Sequence, residues 1–385
     1  MPKFEIQESE ALDAVIKVVG VGGCGGNAVE HMVTAGVSGV EFIAMNTDSQ
    51  ALKRSKASKS LQLGAAMTKG LGAGANPEIG RQAALADRER IAEMVAGADM
   101  LFITAGMGGG TGTGAAPVVA QIAREQGILT VAVVTKPFSF EGRRMKTAQE
   151  GIEQLADYVD SLIIIPNEKL LSVLGDDVGM LEAYQAANDV LQGAVAGIAE
   201  VINCPGLVNV DFADVRTVMS EMGVAMMGSA AAAGIDRAHV AAQQAIASPL
   251  LEDVNLNGAR GVLVNITASQ NMKLKEVHDV MNTIRSFTAE DATVIFGSVV
   301  DENMGDSLRV TIVATGLGGT SARRAQPQPL KVVRTGTDNA PTEVDYETLD
   351  QPAVIRRGRN TMVEAMRDNG MELLDIPAFL RKQAD

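Results

Sequence analysis

The sequence has few of the residues that build disulfide frameworks and zinc sites. Its 385 residues include two cysteines, Cys24 and Cys204, and three histidines. Two isolated cysteines provide neither a disulfide scaffold nor the spacing of metal ligands. We therefore expect no structural metal site.

Long apolar runs and a basic charge excess are also missing. No run reaches the roughly 18 apolar residues that a membrane span requires, and residues 1–12 lack the basic and apolar regions of a signal peptide. The formal net charge of −14 is the opposite of the basic face that nucleic-acid binders carry. These absences predict a cytoplasmic protein with no nucleic-acid partner and no direct membrane insertion, beginning with a flexible segment at 1–12.

Glycine is abundant, with 40 residues, and the richest segment is Gly106–Gly114. It follows the apolar run Met100–Ala105, which predicts a buried strand. Without Cβ atoms, backbone N–H groups can converge on one anion, and the helix that follows adds the positive end of its dipole. This favours a phosphate site over the alternative, a flexible loop or a tight turn, because a turn needs only one or two glycines.

Two further glycine segments flank polar residues of interest. Gly20–Gly26 follows a strand and contains a G-x-G-x-x-G match, a weak fingerprint that by itself suggests a dinucleotide site. Lys69–Pro77 precedes a charged helix predicted from about Glu78 to Ala96. Between them a strand ends at Asn46, where a ribose-binding side chain is expected; the alternative is a plain turn-forming role.

The order of apolar runs predicts an α/β fold. Continuous apolar strands alternating with helices indicate a parallel, Rossmann-like sheet covered on both faces, with the ligand at the carboxyl ends of its strands. We predict a nucleotide-binding domain at 13–179, a long central helix at 180–204 and a smaller α+β domain at 205–317. Residues 318–370 are rich in proline and charge and predict a disordered linker. Residues 371–385 suggest a docking peptide or, alternatively, a solvated end.

The chemistry of the site must differ from that of a P-loop, because no G-x-x-x-x-G-K-[ST] motif occurs. Backbone amides would hold the phosphates, with the remaining charge met by Mg²⁺ and by Arg143 or Arg144. The carboxylates that best suit activation of water are Asp211 and Asp214. They could equally be a helix N-cap and a first-turn charge.

Several motifs occur together in the order found in one family. Gly108–Gly114 is the tubulin signature, and the other matching segments are Gly20–Asn27, Asn46–Asp48, Gly72–Pro77, Pro166–Asn167, Asn209–Asp214 and Asp375–Arg381. The sequence resembles the FtsZ family of bacterial tubulin-like cell-division GTPases over about residues 12–317 and the terminal peptide. The linker is unmatched.

The resemblance implies GTP or GDP, with Mg²⁺, in the amino-terminal domain. Tyr184 would pack on guanine, Asn188 would read the base edge, and Glu141 and Arg144 would contact ribose and phosphate. The complete set of implied nucleotide contacts is Gly22, Gly23, Cys24, Asn27, Asn46, Gly72, Ala73, Gly74, Gly106, Gly108, Gly109, Gly110, Thr111, Gly112, Glu141, Arg144, Asn167, Tyr184 and Asn188.

The resemblance also implies a head-to-tail polymer that forms a cytokinetic ring at the mid-cell division site beneath the inner membrane. Asn209, Asp211 and Asp214 would enter the next subunit's pocket and help to hydrolyse GTP. Asp375–Arg381 would bind the membrane tethers FtsA and ZipA, and division-site regulators would act on the polymer.

Three points stay open at the level of sequence. The segment around Arg143 and Arg144 is one residue shorter than is usual in the family, so either arginine could contact phosphate. Cys24 stands where the family has a small residue, and its thiol is either activated by the helix start or inert. The alternative functions are an NAD-dependent oxidoreductase, based on the G-x-G-x-x-G match, and a nucleotide-gated scaffold without catalysis.

Overall fold

Parallel strands that end at the glycine-rich segments form the first half of the fold. In a computed structural model of the chain they are β1 (Ile16–Val21), β2 (Val40–Asn46), β3 (Lys59–Gln62), β4 (Met100–Gly106), β5 (Leu129–Lys136) and β6 (Ser161–Pro166). They lie in the order β3-β2-β1-β4-β5-β6, and every neighbouring pair is parallel. The predicted parallel sheet is confirmed.

The structure describes residues 14–175, 178–203, 206–208, 210–220, 223–248, 250–251, 259–289 and 292–317. The predicted amino-terminal segment, linker and docking peptide lie outside these residues, as do Asn209 and Cys204. No helix in the described part of the chain is long and apolar enough to cross a membrane.

Helices cover both faces of the parallel strands. They are α1 (Gly22–Thr34), α2 (Ser49–Arg54), α3 (Ala65–Thr68), α4 (Pro77–Ala86), α5 (Arg88–Val95), α6 (Thr111–Glu125), α7 (Arg143–Ala156) and α8 (Asn167–Leu174). One core packs α4, α5, α6 and α7 against the sheet. The other packs α1 and the long helix α9 (Met180–Asn203) against the opposite face. Burial on both faces explains why the strands are continuously apolar.

The predicted central helix is confirmed as α9. Leu191, Val195 and Ile198 are buried as their spacing predicts, whereas Leu181 and Tyr184 near its start are exposed. Its later part reaches the second half of the fold, where Asn265 Nδ2 donates to the carbonyl of Gly197 at 3.1 Å.

The second half continues the same sheet. Its elements are β7 (Gly206–Val208), α10 (Phe212–Met219), β8 (Gly223–Ala233), α11 (Arg237–Ile246), β9 (Gly261–Ala268), α12 (Leu274–Arg285), β10 (Thr293–Val300) and β11 (Ser307–Leu317). β8 pairs in parallel with β6, and the order then runs β8-β11-β9-β10-β7, so the described strands form one eleven-stranded sheet. The predicted fold class is confirmed. The limits of the two domains stay a prediction.

Two local predictions were wrong. The helix predicted from Glu78 to Ala96 is broken at Asp87, whose carboxylate accepts the Gly64 N–H at 2.7 Å and pairs with Arg90. The second is Gly20–Gly26, which its glycines predict as a loop at a strand-to-helix junction; no loop separates the two elements, because β1 runs to Val21 and α1 begins at Gly22. Gly25 serves close packing, since a Cβ there would lie 2.3 Å from the Thr104 carbonyl oxygen, whereas Gly23 and Gly26 face open space.

Candidate functional site

A cavity of about 430 Å³ lies where β1, β4 and β5 end. Most of the predicted nucleotide contacts line it: Gly23, Cys24, Asn27, Gly106, Gly109, Gly110, Thr111, Gly112, Glu141, Arg144, Asn167, Tyr184 and Asn188. These residues come from segments more than a hundred residues apart in the chain, and the parallel sheet brings them to one edge. A larger cavity of about 1050 Å³ along α9 holds none of the predicted residues.

Backbone donors are free at the floor of this cavity. α1 and α6 both begin there, and neither helix has a side-chain cap on its first turn among the described residues. The first N–H groups of a helix lack partners within it and carry the positive end of its dipole. A Cβ on Gly23 or Gly109 would meet nothing within 4 Å, so open space lies beside these donors. The arrangement suits an anion.

Close packing behind the cavity requires glycine at several positions. Gly108 has a φ of 93°, and a Cβ there would lie 2.7 Å from the Arg144 carbonyl oxygen. A Cβ on Gly106 would lie 2.6 Å from the Cβ of Cys24. Larger residues would push the signature segment out of place.

Glu141 and Arg144 form a charged pair at the cavity. The Arg144 guanidinium pairs with Glu141, whose Oε1 also accepts the Phe138 N–H at 3.0 Å. Arg144 lines the cavity and Arg143, which is exposed, does not. The structure therefore places Arg144 at the site.

Aromatic and amide side chains also contribute to the cavity, among them Tyr184 and Asn167. The Tyr184 ring meets Phe138 edge-on, with centroids 6.1 Å apart, and Phe138 stacks on Phe140. Asn167 is buried, yet its Oδ1 has no hydrogen-bond partner among the described atoms. A buried acceptor without a partner costs about 1–3 kcal/mol, so Asn167 is suited to receive a donor from a ligand.

The Cys24 thiol is accessible from the cavity, but many protein atoms surround it. Burial raises the pKa of its thiol, although the hydrogen bond with Thr135 and the charge of Arg144 act in the opposite direction. The raised pKa favours the inert alternative over a thiol that is activated by the helix start.

Some predicted contacts do not line the cavity; these are Gly22, Asn46, Gly72, Ala73, Gly74 and Gly108. Gly22 and Gly108 instead allow close packing behind the cavity, since a Cβ on Gly22 would lie 2.8 Å from the Gly112 nitrogen. Ala73 packs against Gly110. Asn46 is buried and its Oδ1 accepts the Asp48 N–H at 3.2 Å, which is the turn-forming role that the sequence left open.

The predicted catalytic acids lie elsewhere on the chain. Asp211 and Asp214 are exposed at the start of α10, and neither lines the cavity. Asn209 lies outside the described residues. Glu141 is the acid among the lining residues, and it is engaged by Arg144. No group of three or more potential metal-ligating side chains occurs in the described part of the chain.

Sequence reasoning missed several residues of the site. Thr135 near the end of β5 and Pro137 just after it line the cavity, and the same rule of strand ends that located the glycine segments could have identified them. Thr47 was read only as part of a motif. Its contact with Thr111 joins residues 64 apart and left no signal in the sequence.

Comparison with known proteins agrees with this geometry. A model of the GTPase domain of the Tubulin/FtsZ family matches residues 15–175, and a model of the C-terminal domain of the FtsZ family matches residues 223–318. Cell division protein FtsZ of Pseudomonas aeruginosa is 57% identical, with 99% of this chain and all of the relative covered. The Coxiella burnetii protein of that name is 58% identical, covering 98% and 99%.

A solved structure shares the fold over most of its length. It is an empty FtsZ dimer from M. jannaschii, with a TM-score of 0.77 and 44% identity, covering 80% of this chain and 89% of that one. Because both family domains match in order and relatives match over nearly the whole length, the chain belongs to the tubulin/FtsZ family.

Proposed function

We propose that this chain binds GTP in the cavity at the ends of β1, β4 and β5 and hydrolyses it where a second copy completes the site. Its family makes it a filament-forming GTPase of cell division that binds guanine nucleotide and associates with itself. We propose which residues bind the nucleotide and how they hydrolyse it.

One observation carries the proposal: among the described residues, those that line the cavity include no free carboxylate that could activate water. Its acid, Glu141, is paired with Arg144, while Asp211 and Asp214 stand exposed on another part of the surface. An adjoining copy that places these two acids over the cavity supplies the missing groups. Such a head-to-tail contact does not close on itself and generates open filaments.

The residues at and around the cavity have separate roles in this proposal. The first-turn N–H groups of α1 and α6 bind phosphate oxygens, and Arg144 adds positive charge. Tyr184 packs on guanine, and Asn167 and Asn188 hydrogen-bond the nucleoside. Gly22, Ala73 and Gly108 hold these segments in place by close packing. Asn46, Gly72 and Gly74 stay proposed nucleotide contacts. Asn209, Asp211 and Asp214 of the neighbour orient and polarise the attacking water.

The donor set also bears on Mg²⁺. The described residues offer no cluster of carboxylates, and Mg²⁺ beside nucleotides is held mainly by phosphate oxygens and water, with few protein groups. The Thr111 hydroxyl at the cavity fits such a minor ligand. We propose that the ion arrives with GTP and balances charge on its phosphates.

The cellular role follows from the same family. We propose a ring at mid-cell beneath the inner membrane, tethered through Asp375–Arg381 to FtsA and ZipA and modulated by division-site regulators. That peptide lies outside the described residues. The NAD alternative loses its motivation, because both family models and the nearly full-length relatives belong to the tubulin/FtsZ family.

Assembly-dependent hydrolysis is tested by following phosphate release while the protein is diluted, with sedimentation in parallel. Turnover per chain should fall as filaments disappear. Asp214→Asn should bind GTP normally and lose turnover, whereas Asp157→Asn, which removes another exposed carboxylate, should behave as wild type. Turnover per chain that stays constant well below the assembly range contradicts the proposal. Equal turnover in wild type and Asp214→Asn would favour a site complete within one chain.

A further inference from the structure

We propose that Thr47 is a positioning residue for the hydroxyl of Thr111, and that it affects nucleotide binding only through this contact. The Oγ1 atoms of the two residues lie 2.6 Å apart. Thr111 is the first residue of α6 and lines the cavity, whereas Thr47 is fully buried and does not. Thr47 therefore cannot touch the nucleotide itself. The inference rests on the proposed contact of Thr111 with the nucleotide.

Thr47 is well placed to impose an orientation because its own backbone is fixed. The Thr68 hydroxyl lies 3.3 Å from the Thr47 carbonyl oxygen and receives the Gly70 N–H. The next residue, Asp48, caps α2 by accepting the Gln50 N–H at 2.8 Å. The Thr47 hydroxyl is thus attached to a backbone segment that these contacts fix between β2 and α2.

The contact determines what the Thr111 hydroxyl can do. A hydroxyl has one proton to donate and two lone pairs, and the bond with Thr47 uses one of these three positions. The other two stay available for a phosphate oxygen or a cation. A threonine hydroxyl near a helix start that lacks such a partner can turn onto neighbouring backbone N–H groups. Thr47 prevents that rotation and so keeps the N–H groups of α6 free for the anion.

The chain offers a matched control in β4. Thr104 of β4 is also fully buried, and its hydroxyl has no hydrogen-bond partner among the described atoms. Thr104→Val and Thr47→Val remove the same atom from similarly buried sites. The first breaks no hydrogen bond of the described structure, and the second breaks the bond to Thr111.

The experiment is a double-mutant cycle on the affinity of the full-length protein for GTP and GDP, measured by calorimetry with Mg²⁺ present. Thr47→Val should weaken binding by about three- to tenfold, the range expected for one hydrogen bond. Thr47→Ser, which retains the hydroxyl, and Thr104→Val should both stay within about twofold of wild type. In a Thr111→Val background, Thr47→Val should have no further effect.

Each other outcome overturns the inference in a recognisable way. Additive effects of Thr47→Val and Thr111→Val would show that Thr47 acts through general stability, and a loss in Thr47→Ser as large as that in Thr47→Val would show that the hydroxyl alone does not account for the effect. If Thr47→Val does not fold, Thr47→Ala takes its place in the same cycle. If Thr111→Val leaves affinity unchanged, this inference fails, while assembly-dependent hydrolysis is judged by the dilution experiment alone.

Discussion

Asp211 Oδ1 accepts the backbone N–H of Asp214 at 2.8 Å, so a predicted catalytic residue is also the N-cap of α10. The two roles can be separated, because asparagine caps a helix about as well as aspartate and alanine does not. Asp211→Asn should keep the stability of wild type, whereas Asp211→Ala should lose about 1 kcal/mol in urea unfolding.

If the carboxylate also acts on water, both variants should lose GTP turnover by about a hundredfold or more. Phosphate release at concentrations that give filaments measures this loss. Full activity in Asp211→Asn would show that Asp211 acts only as the N-cap of α10.

Arg144 and Arg143 provide a second matched pair. Arg144 lines the cavity and pairs with Glu141, while its neighbour is exposed and off the cavity. Arg144→Ala should raise the KM for GTP by about ten- to a hundredfold, the range for a hydrogen bond to a charged group. Arg143→Ala should leave KM unchanged. The reverse pattern in steady-state kinetics would reassign the phosphate contact to Arg143.

Adjacent glycines of α1 should respond oppositely to alanine. A Cβ on Gly25 would lie 2.3 Å from the Thr104 carbonyl oxygen, whereas a Cβ on Gly26 would meet nothing within 4 Å. Gly25→Ala should therefore destabilise by roughly 1–3 kcal/mol, and Gly26→Ala should stabilise the helix by up to about 1 kcal/mol. Urea midpoints at constant m-value measure both changes. Similar midpoints for the two variants would contradict the packing of α1 on β4.

The thiol of Cys24 should react slowly at neutral pH. Its pKa lies above the ordinary value of 9.0 because of burial, so the thiolate fraction is small and grows about tenfold per pH unit up to pH 9. Alkylation by iodoacetamide, followed by mass spectrometry in a Cys204→Ser background, should show this slope. GDP should protect the thiol, which lines the cavity. A rate that levels off between pH 6 and 8 would instead indicate an activated thiol.

Glu276 should contribute acid-sensitive stability. Its carboxylate bonds the buried Arg237 at 2.7 Å, and this contact is the main reason that its pKa lies below the ordinary value of 4.5. A pKa that is lower in the folded state gives stability that is complete above about pH 4.5 and lost as pH falls through the folded value. Glu276→Gln should therefore lose about 1.5–3 kcal/mol at pH 7 and progressively less below pH 4.5.

Urea unfolding at several pH values tests this dependence, with Glu153→Gln on the exposed face of α7 as the control. The control should differ little from wild type at any pH. A deficit in Glu276→Gln that stays constant down to pH 3 would assign the effect to packing rather than charge.

The parts of the fold predicted from sequence are those whose apolar pattern is strong. The strand predicted at Met100–Ala105 is observed as β4, and the central helix predicted at 180–204 is observed as α9. β8 was missed because Gly223–Ala233 is rich in alanine and glycine, which favour strands poorly. Pairing with β6 and β11 makes it a strand, and α11 packs so closely that a Cβ on Gly228 would lie 2.0 Å from the Ala245 carbonyl oxygen.

The site was predictable to the same extent. Lining residues that belong to motifs or strand ends were found, but contacts between distant segments were not. The partnership of Thr47 with Thr111 and the pairing of Glu141 with Arg144 depend on how strands and helices are stacked, which periodicity does not encode. The role of Asn46, whose Oδ1 accepts the N–H of Asp48, could not be decided from sequence for the same reason.

The contact between the two central glycine segments has a mechanical consequence. A Cβ on Gly110 would lie 2.9 Å from both the Asn76 nitrogen and the Cβ of Ala73, so backbone touches backbone with no flexible side chain between them. Interiors packed at this density are nearly incompressible. Any displacement of Gly110 therefore has to be taken up by the backbone of residues 73–76, so the cavity and that loop are mechanically coupled.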